Sequence, residues 1–191
     1  MATTQPIRNK NKVRQLAAYY LNRGEIRNHV LIILGVNTAL RISDLLRLTW
    51  DCVYDFDQQC VRSSITLVEM KTHKEKTIAL NHSAISALTL LATSSAGQGR
   101  YIIENTRTGR AISRIQAYRL IRSAAEALKF QERVSCHSLR KTLGYHAWKK
   151  GVSLAIIMEI YNHSSLAITR RYLGVTQDDK DAVYLEIDLT A

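Results

Sequence analysis

Apolar positions recur along this 191-residue chain with two distinct periods. Over residues 13–22 they fall at Leu16, Ala17, Tyr20 and Leu21, the spacing of one helical face. A second helix is predicted over 25–38, with Val30, Ile33, Leu34 and Asn37 on a shared side, and a short third one over 42–48. The period then changes. Residues 61–70 and 77–80 are rich in β-branched side chains and flank the polar run 71–76, which predicts a β-hairpin with a basic turn. Helical spacing returns over 83–91, a short strand is expected at 101–103, and another helix over 113–128. The last third reads as helices over 138–149, 154–161 and 166–172, broken at Gly151 and at His163-Ser164-Ser165. A final helical segment is expected over 178–189. The fold class is mainly α with a small antiparallel β-sheet, an α+β arrangement.

Pro6 is the sole proline, and no repeat or Gly/Ser-rich linker divides the chain. The expected organisation is a flexible basic lead-in over 1–12, one domain over 13–177, and a C-terminal helical segment over 178–191 that is too apolar for a purely solvated tail and either packs on its own domain or docks on a neighbour. Hydrophobic residues make up 46% of the chain, enough for a core. Lys and Arg number 27 against 16 Asp and Glu, a formal charge of +11. That excess favours a polyanionic partner, because bound phosphates release counterions as cations neutralise them. Cys52, Cys60 and Cys136 are odd in number and lack CxxC spacing, so neither a disulfide framework nor a zinc site is indicated. The polar start of the chain resembles no signal peptide, and the longest apolar run, 30–36, is too short to span a bilayer. A reducing cytoplasm and no membrane contact are expected.

Several residues carry possible chemistry. Arg41 lies among Ala39, Leu40, Leu45 and Leu46, with Asp44 three positions on, where helical spacing would let the carboxylate face the guanidinium and hold it as a phosphate-binding fork. Lys71 lies at the mouth of the hairpin turn; it is either an ordinary turn charge or a general acid able to reach a substrate. His137 and Arg140 are three apart at a helix start and would share a face. His163 and Tyr172 are nine apart, on opposite faces of any straight helix, but the Ser164-Ser165 capping signal allows a turn that brings them together. A phenol with an ordinary pKa of about 10 is a poor nucleophile, and nearby arginines would favour its phenolate.

The ordered set Arg41, Lys71, His137-x-x-Arg140, His163 and Tyr172 resembles the active-site signature of the tyrosine recombinases, the phage-integrase family. The flanking words Thr38-Ala39-Leu40-Arg41-Ile42-Ser43-Asp44-Leu45, His137-Ser138-Leu139-Arg140-Lys141-Thr142, Asn162-His163-Ser164-Ser165 and Arg171-Tyr172 resemble that family's boxes. The likeness implies that the domain over 13–177 is catalytic and that Arg41 and Arg140 bind the scissile phosphate, each such donor contributing about 3 kcal/mol. It implies that Tyr172 attacks phosphorus to form a 3′-phosphotyrosyl link, that Lys71 protonates the leaving 5′-oxygen, that His137 assists proton transfer, that His163 hydrogen-bonds the phosphate and that Asp44 orients Arg41. Lys74, Lys141, Arg170 and Arg171 are expected on DNA. The bond energy is kept in the protein link, so no ATP, metal or other cofactor is implied. The implied partners are duplex DNA, other copies of the chain in a tetramer on DNA, and accessory DNA-bending proteins at the nucleoid. Lys141 stands where many relatives carry His, and Tyr161-Asn162 where Leu-Gly is common. With so little chain before residue 25, the sequence is similar to the short invertase-type members of mobile-element and fimbrial switches. A type IB topoisomerase and a catalytically idle DNA-binding regulator are the competing readings.

Overall fold

A computed structural model describes residues 4–94 and 99–187. Helix α1 (Lys10–Leu21) and α2 (Ile26–Asn37) pack side by side, followed by the single turns α3 (Ile42–Leu45) and α4 (Trp50–Val53). Strands β1 (Tyr54–Asp55) and β2 (Cys60–Val61) pair, then β3 (Ser64–Val68) and β4 (Glu75–Ala79) form the main hairpin. Helix α5 (His82–Ala92), the pair β5 (Glu104–Asn105) and β6 (Arg110–Ala111), and helix α6 (Arg114–Ala127) come next. The last third is α7 (Cys136–Lys149), α8 (Leu154–Tyr161), α9 (Leu166–Leu173) and α10 (Gln177–Glu186).

The mainly helical expectation agrees with this architecture. The small sheet is three separate two-stranded antiparallel pairs among the described residues. The hairpin strands are shorter than expected because Arg62–Ser63 breaks the first run, and His73, at φ 54, turns the chain back in the left-handed region. The expected strand at 101–103 reduces to a bridge between Tyr101 and Thr49. Residues 188–191, part of the expected C-terminal segment, lie outside the described residues.

The hydrophobic core has two main parts that share α2. On one side Val30, Leu31 and Leu34 meet Leu88, Leu91, Ile65 and Ile78 from α5 and the hairpin. On the other, Ile32 and Val36 meet Leu16, Tyr20, Ile121 and Leu139 from α1, α6 and α7. Two apolar faces on one helix explain why α2 is buried nearly all round. A smaller cluster of Ala39, Ile157, Tyr161 and Leu173 lies under α8 and α9. No helix among the described residues is long and apolar enough to cross a membrane.

Within the expected flexible lead-in, Pro6 and Ile7 are instead buried and α1 already begins at Lys10, while Gln5, Arg8 and Asn9 are exposed. Ile7 is 5% exposed, its N–H donates to Thr142 Oγ1 at 3.0 Å, and Arg8 Nη2 donates to the Gly174 carbonyl at 2.8 Å. Burial of Ile7 and these bonds oppose the entropy that would free the segment.

Candidate active site

Local devices place four of the catalytic candidates, His137, Arg140, His163 and Tyr172. Ser135 and Ser138 form a reciprocal capping box at the start of α7, so His137 falls in the first turn and Arg140 one turn later. Asn162, at φ 52, ends α8 in the left-handed conformation, and His163 N–H donates back to the Met158 carbonyl. Ser165 then caps α9 by accepting the Ile168 N–H. This reversal brings the rings of His163 and Tyr172 to 4.9 Å, edge to face. Ala39, at φ 53, is buried in the left-handed region before Arg41, and its carbonyl accepts from Arg140 Nη1.

The structure brings Arg41, Lys71, His137, Arg140, His163 and Tyr172 to one cleft of ≈ 440 Å³. Arg140 is 5% exposed, lies 4.9 Å over the Tyr161 ring, and its Nη2 donates to the Tyr161 carbonyl at 3.2 Å. The Ile160 carbonyl accepts from Lys76 Nζ. The carbonyl end of α8 therefore holds two cations beside the cleft, as the helix dipole favours. His163 Nδ1 lies 3.2 Å from Thr169 Oγ1, which fixes the ring.

Asp44 does not hold Arg41. Arg41 precedes α3 with extended backbone (φ −67, ψ 145), so helical i,i+3 spacing does not apply to it. Asp44 instead accepts the Met70 N–H at 3.0 Å. The partner of Arg41 is Glu69, whose Oε1 lies 2.8 Å from Nη1 in an ion contact, without the alignment of a straight hydrogen bond. Glu69 Oε2 accepts from Thr72 Oγ1 and Asn162 Nδ2, each at 2.7 Å. Burial pushes the Glu69 carboxyl upward, but Thr72, Asn162 and Arg41 outweigh it and hold it below the usual range.

Lys141 is also misplaced by the expectation of a DNA-facing surface. It lies the usual ~100° round α7 from Arg140, is 7% exposed, and donates to the Thr4 carbonyl at 2.7 Å. Lys74, Arg170 and Arg171 are exposed, on the hairpin turn and on α9. The residues the sequence reading passes over are Glu69, Lys76 and Thr169. Only Glu69 leaves a signal: it follows Ile65 and Leu67 at period two, a carboxylate on the inward side of a strand. No group of His, Cys, Asp and Glu among the described residues suits a metal.

Charge state follows from burial and from the cation cluster. Burial, then Arg140 and Arg41, push His163 down to about 4. Burial, then Arg140 and Lys141, push His137 below its usual value. Both rings are therefore more readily neutral. Burial raises the Tyr172 phenol; Arg140 and Arg41 pull it down without overcoming that rise. The arginines favour the phenolate, as expected, but in the DNA-free protein desolvation is the larger effect.

The fold that carries this cleft is that of a tyrosine recombinase catalytic domain. XerA recombinase superposes with a TM-score of 0.75 at 19% identity, over 96% of this chain and 66% of that one. A lambda integrase dimer bound to a COC′ core site superposes at 0.71 and 16% identity, over 100% of this chain and 53% of that one. In sequence, the chain is 38% identical over 184 residues to the probable integrase/recombinase YoeC of Bacillus subtilis (strain 168), covering 96% of this chain and 97% of YoeC. It is 27% identical over 161 residues to tyrosine recombinase XerD of Mycobacterium leprae (strain TN), covering 79% of this chain and 49% of XerD. It thus spans about half the length of that relative. The sequence profile of the phage integrase family matches residues 8–178. The chain belongs to the phage integrase family and is a tyrosine-type site-specific recombinase.

Proposed function

We propose that the chain cleaves and rejoins duplex DNA through a 3′-phosphotyrosyl intermediate at Tyr172. The observation that carries this reading is the convergence of Arg41, Lys71, His137, Arg140, His163 and Tyr172 on one cleft. Arg41 and Arg140 hold the non-bridging oxygens of the scissile phosphate and stabilise the charge that grows there. The Tyr172 oxygen attacks phosphorus as its proton passes to neutral His137. The bond from phosphorus to the 5′-oxygen breaks, and Lys71 supplies the proton that oxygen needs. His163 hydrogen-bonds the phosphate. A 5′-hydroxyl from a partner duplex reverses the step and completes exchange.

Lys74, Arg170 and Arg171 contact the DNA backbone, which gives affinity without sequence information. The chain works as a tetramer on DNA, self-associates weakly without it, and acts with DNA-bending partners on mobile-element DNA at the nucleoid. In support, Tyr184 and Leu185 on α10 are 81% and 85% exposed, more apolar surface than a lone domain needs to show.

The test is a nicked duplex spanning DNA beside its own gene, run on a denaturing gel. The nick lets the 5′-hydroxyl fragment leave and traps the covalent species. A slow band that persists in detergent is expected, absent with Tyr172→Phe and present with Tyr161→Phe. Clear binding with no covalent band, even with host extract added, overturns the reading in favour of an idle regulator.

A further inference from the structure

Lys141 stands directly behind the nucleophile. Its Nζ lies 4.9 Å from the centre of the Tyr172 ring, and it does not line the cleft. The same ammonium donates to the Thr4 carbonyl at 2.7 Å. The segment that carries Thr4 is itself fastened. Ile7 bonds Thr142 through its N–H and His146 Nε2 through its carbonyl, at 3.0 Å each. Gly174, which ends α9 at φ 71, lies against the same segment: the position of its missing Cβ is 2.6 Å from Gln5 Oε1 and 3.6 Å from Pro6 Cδ. The ammonium is thus held between a packed strap and the face of an aromatic ring.

Burying a lysine without a carboxylate is costly. The salt links among the described residues give Lys141 no acidic partner. What it has instead is a neutral carbonyl and the nucleophile's ring. We propose that Lys141 is a positioning residue for the nucleophile: its tethered ammonium holds the Tyr172 ring in place and favours the negative charge that spreads into that ring during attack. This rests on the reading of Tyr172 given above. A phenolate ring is richer in π-electrons than a phenol ring, so a cation on its face attracts the attacking state more than the resting one.

The groups facing Tyr172 are Arg140 and Lys141 from α7, Arg41 from the turn before α3, Tyr161 from α8 and His163 from the α8–α9 reversal. Both arginines also line the cleft that would take the phosphate, so removing either disturbs binding as well as chemistry. Lys141 does not, so its effect should separate cleanly into rate.

The experiment is single-turnover covalent-adduct formation on the nicked duplex at saturating DNA, with the duplex Kd and urea unfolding of each protein measured in parallel. Lys141→Met should slow adduct formation about tenfold while Kd stays within about twofold of wild type. Lys141→Gln, which keeps a donor for Thr4 without the charge, should be similarly slow. Lys141→Arg should recover most of the rate. Wild-type rates in both uncharged variants overturn the proposal. So does a fall in rate, affinity and stability together that Arg does not rescue, because that marks a packing role. A wild-type protein that forms no Tyr172-dependent adduct overturns the reading of Tyr172 itself, a result visible before any Lys141 variant is compared.

Discussion

Glu69 holds Arg41 across the fold at 2.8 Å, with its own side chain fully buried. The same carboxylate ties the hairpin turn at Thr72 and the α8–α9 reversal at Asn162. One buried anion therefore joins the elements that carry Arg41, Lys71 and His163. Glu69→Gln keeps an acceptor for Thr72 and Asn162 but turns an amide toward the guanidinium. Removing one partner of a buried pair costs about 3–5 kcal/mol. A loss of about 3 kcal/mol is expected in urea unfolding, together with slower adduct formation. Asp44→Asn keeps the acceptor for the Met70 N–H and should cost about 1 kcal/mol or less. Equal losses from the two substitutions would contradict this assignment.

The contrast between these two carboxylates shows what is legible in a sequence and what is not. His137 with Arg140, and His163 with Tyr172, are brought together by capping serines and a helix-ending reversal, devices written in neighbouring residues. Those two pairs are therefore legible in local words, whereas their meeting with Arg41 and Lys71 is what the resemblance to the recombinase family implies. Asp44 lies three positions from Arg41, and helical spacing points to it, yet the backbone at Arg41 is still extended. Period-two alternation marks Glu69 as inward-facing, but nothing local says which cation it meets. Lys141 and the strap over 4–8 escape for the same reason: their partners are supplied by the packing of chain ends far apart in sequence. The polar, basic composition of residues 1–12 predicts a flexible lead-in, and the burial of Ile7 overrides that expectation where it lies.

Gly144 is the point where α7 touches α8 and α9, the helices on either side of the reversal that carries His163. Its N–H donates to Tyr161 Oη at 2.8 Å, and a Cβ there would meet Tyr161 Cε2 at 2.6 Å and Leu173 Cδ2 at 2.7 Å. Ala gains about 1 kcal/mol of helix propensity over Gly. Overpacking a tight core costs up to ~3 kcal/mol, and rigid neighbours put this site at that end. Gly144→Ala should therefore lose about 2 kcal/mol, a fall in Tm of about 4–8 °C by calorimetry. Stabilisation would mean that the crossing of α7 with α8 and α9 is looser than described.

His163 gives stability a pH dependence of definite sign. Burial, Arg140, Arg41 and Lys71 hold it down to about 4 in the folded protein, against an ordinary value of about 6.5 for the unfolded chain. Between those values the unfolded state binds a proton that the folded state refuses. The folded state therefore loses stability as pH falls from about 6.5 to about 4, and keeps the full contribution above that window. In urea titrations, His163→Gln should lower the midpoint by a constant amount above pH 7 and decline less steeply than wild type below pH 6.5. Parallel profiles through the window would show that His163 does not carry the effect.

Two lysines compete for the role of general acid, and their surroundings point in different directions. Burial, then Arg140, lowers Lys76 to about 8, close to the value that suits proton transfer near neutrality. Its ammonium, however, is committed to the Ile160 carbonyl, and it does not line the cleft. Lys71 is exposed on the turn and does line it. Geometry comes before pKa for a proton donor, because the proton must reach the leaving oxygen. Lys71→Met should slow cleavage of an ordinary duplex by about 10²–10⁴. A duplex with sulfur at the bridging 5′ position leaves as a thiolate that needs no proton, so it should restore most of that rate. Lys76→Met should slow both duplexes alike, since its loss loosens the carbonyl end of α8 that also holds Arg140. Sulfur rescue of Lys76→Met rather than of Lys71→Met would reverse the two roles.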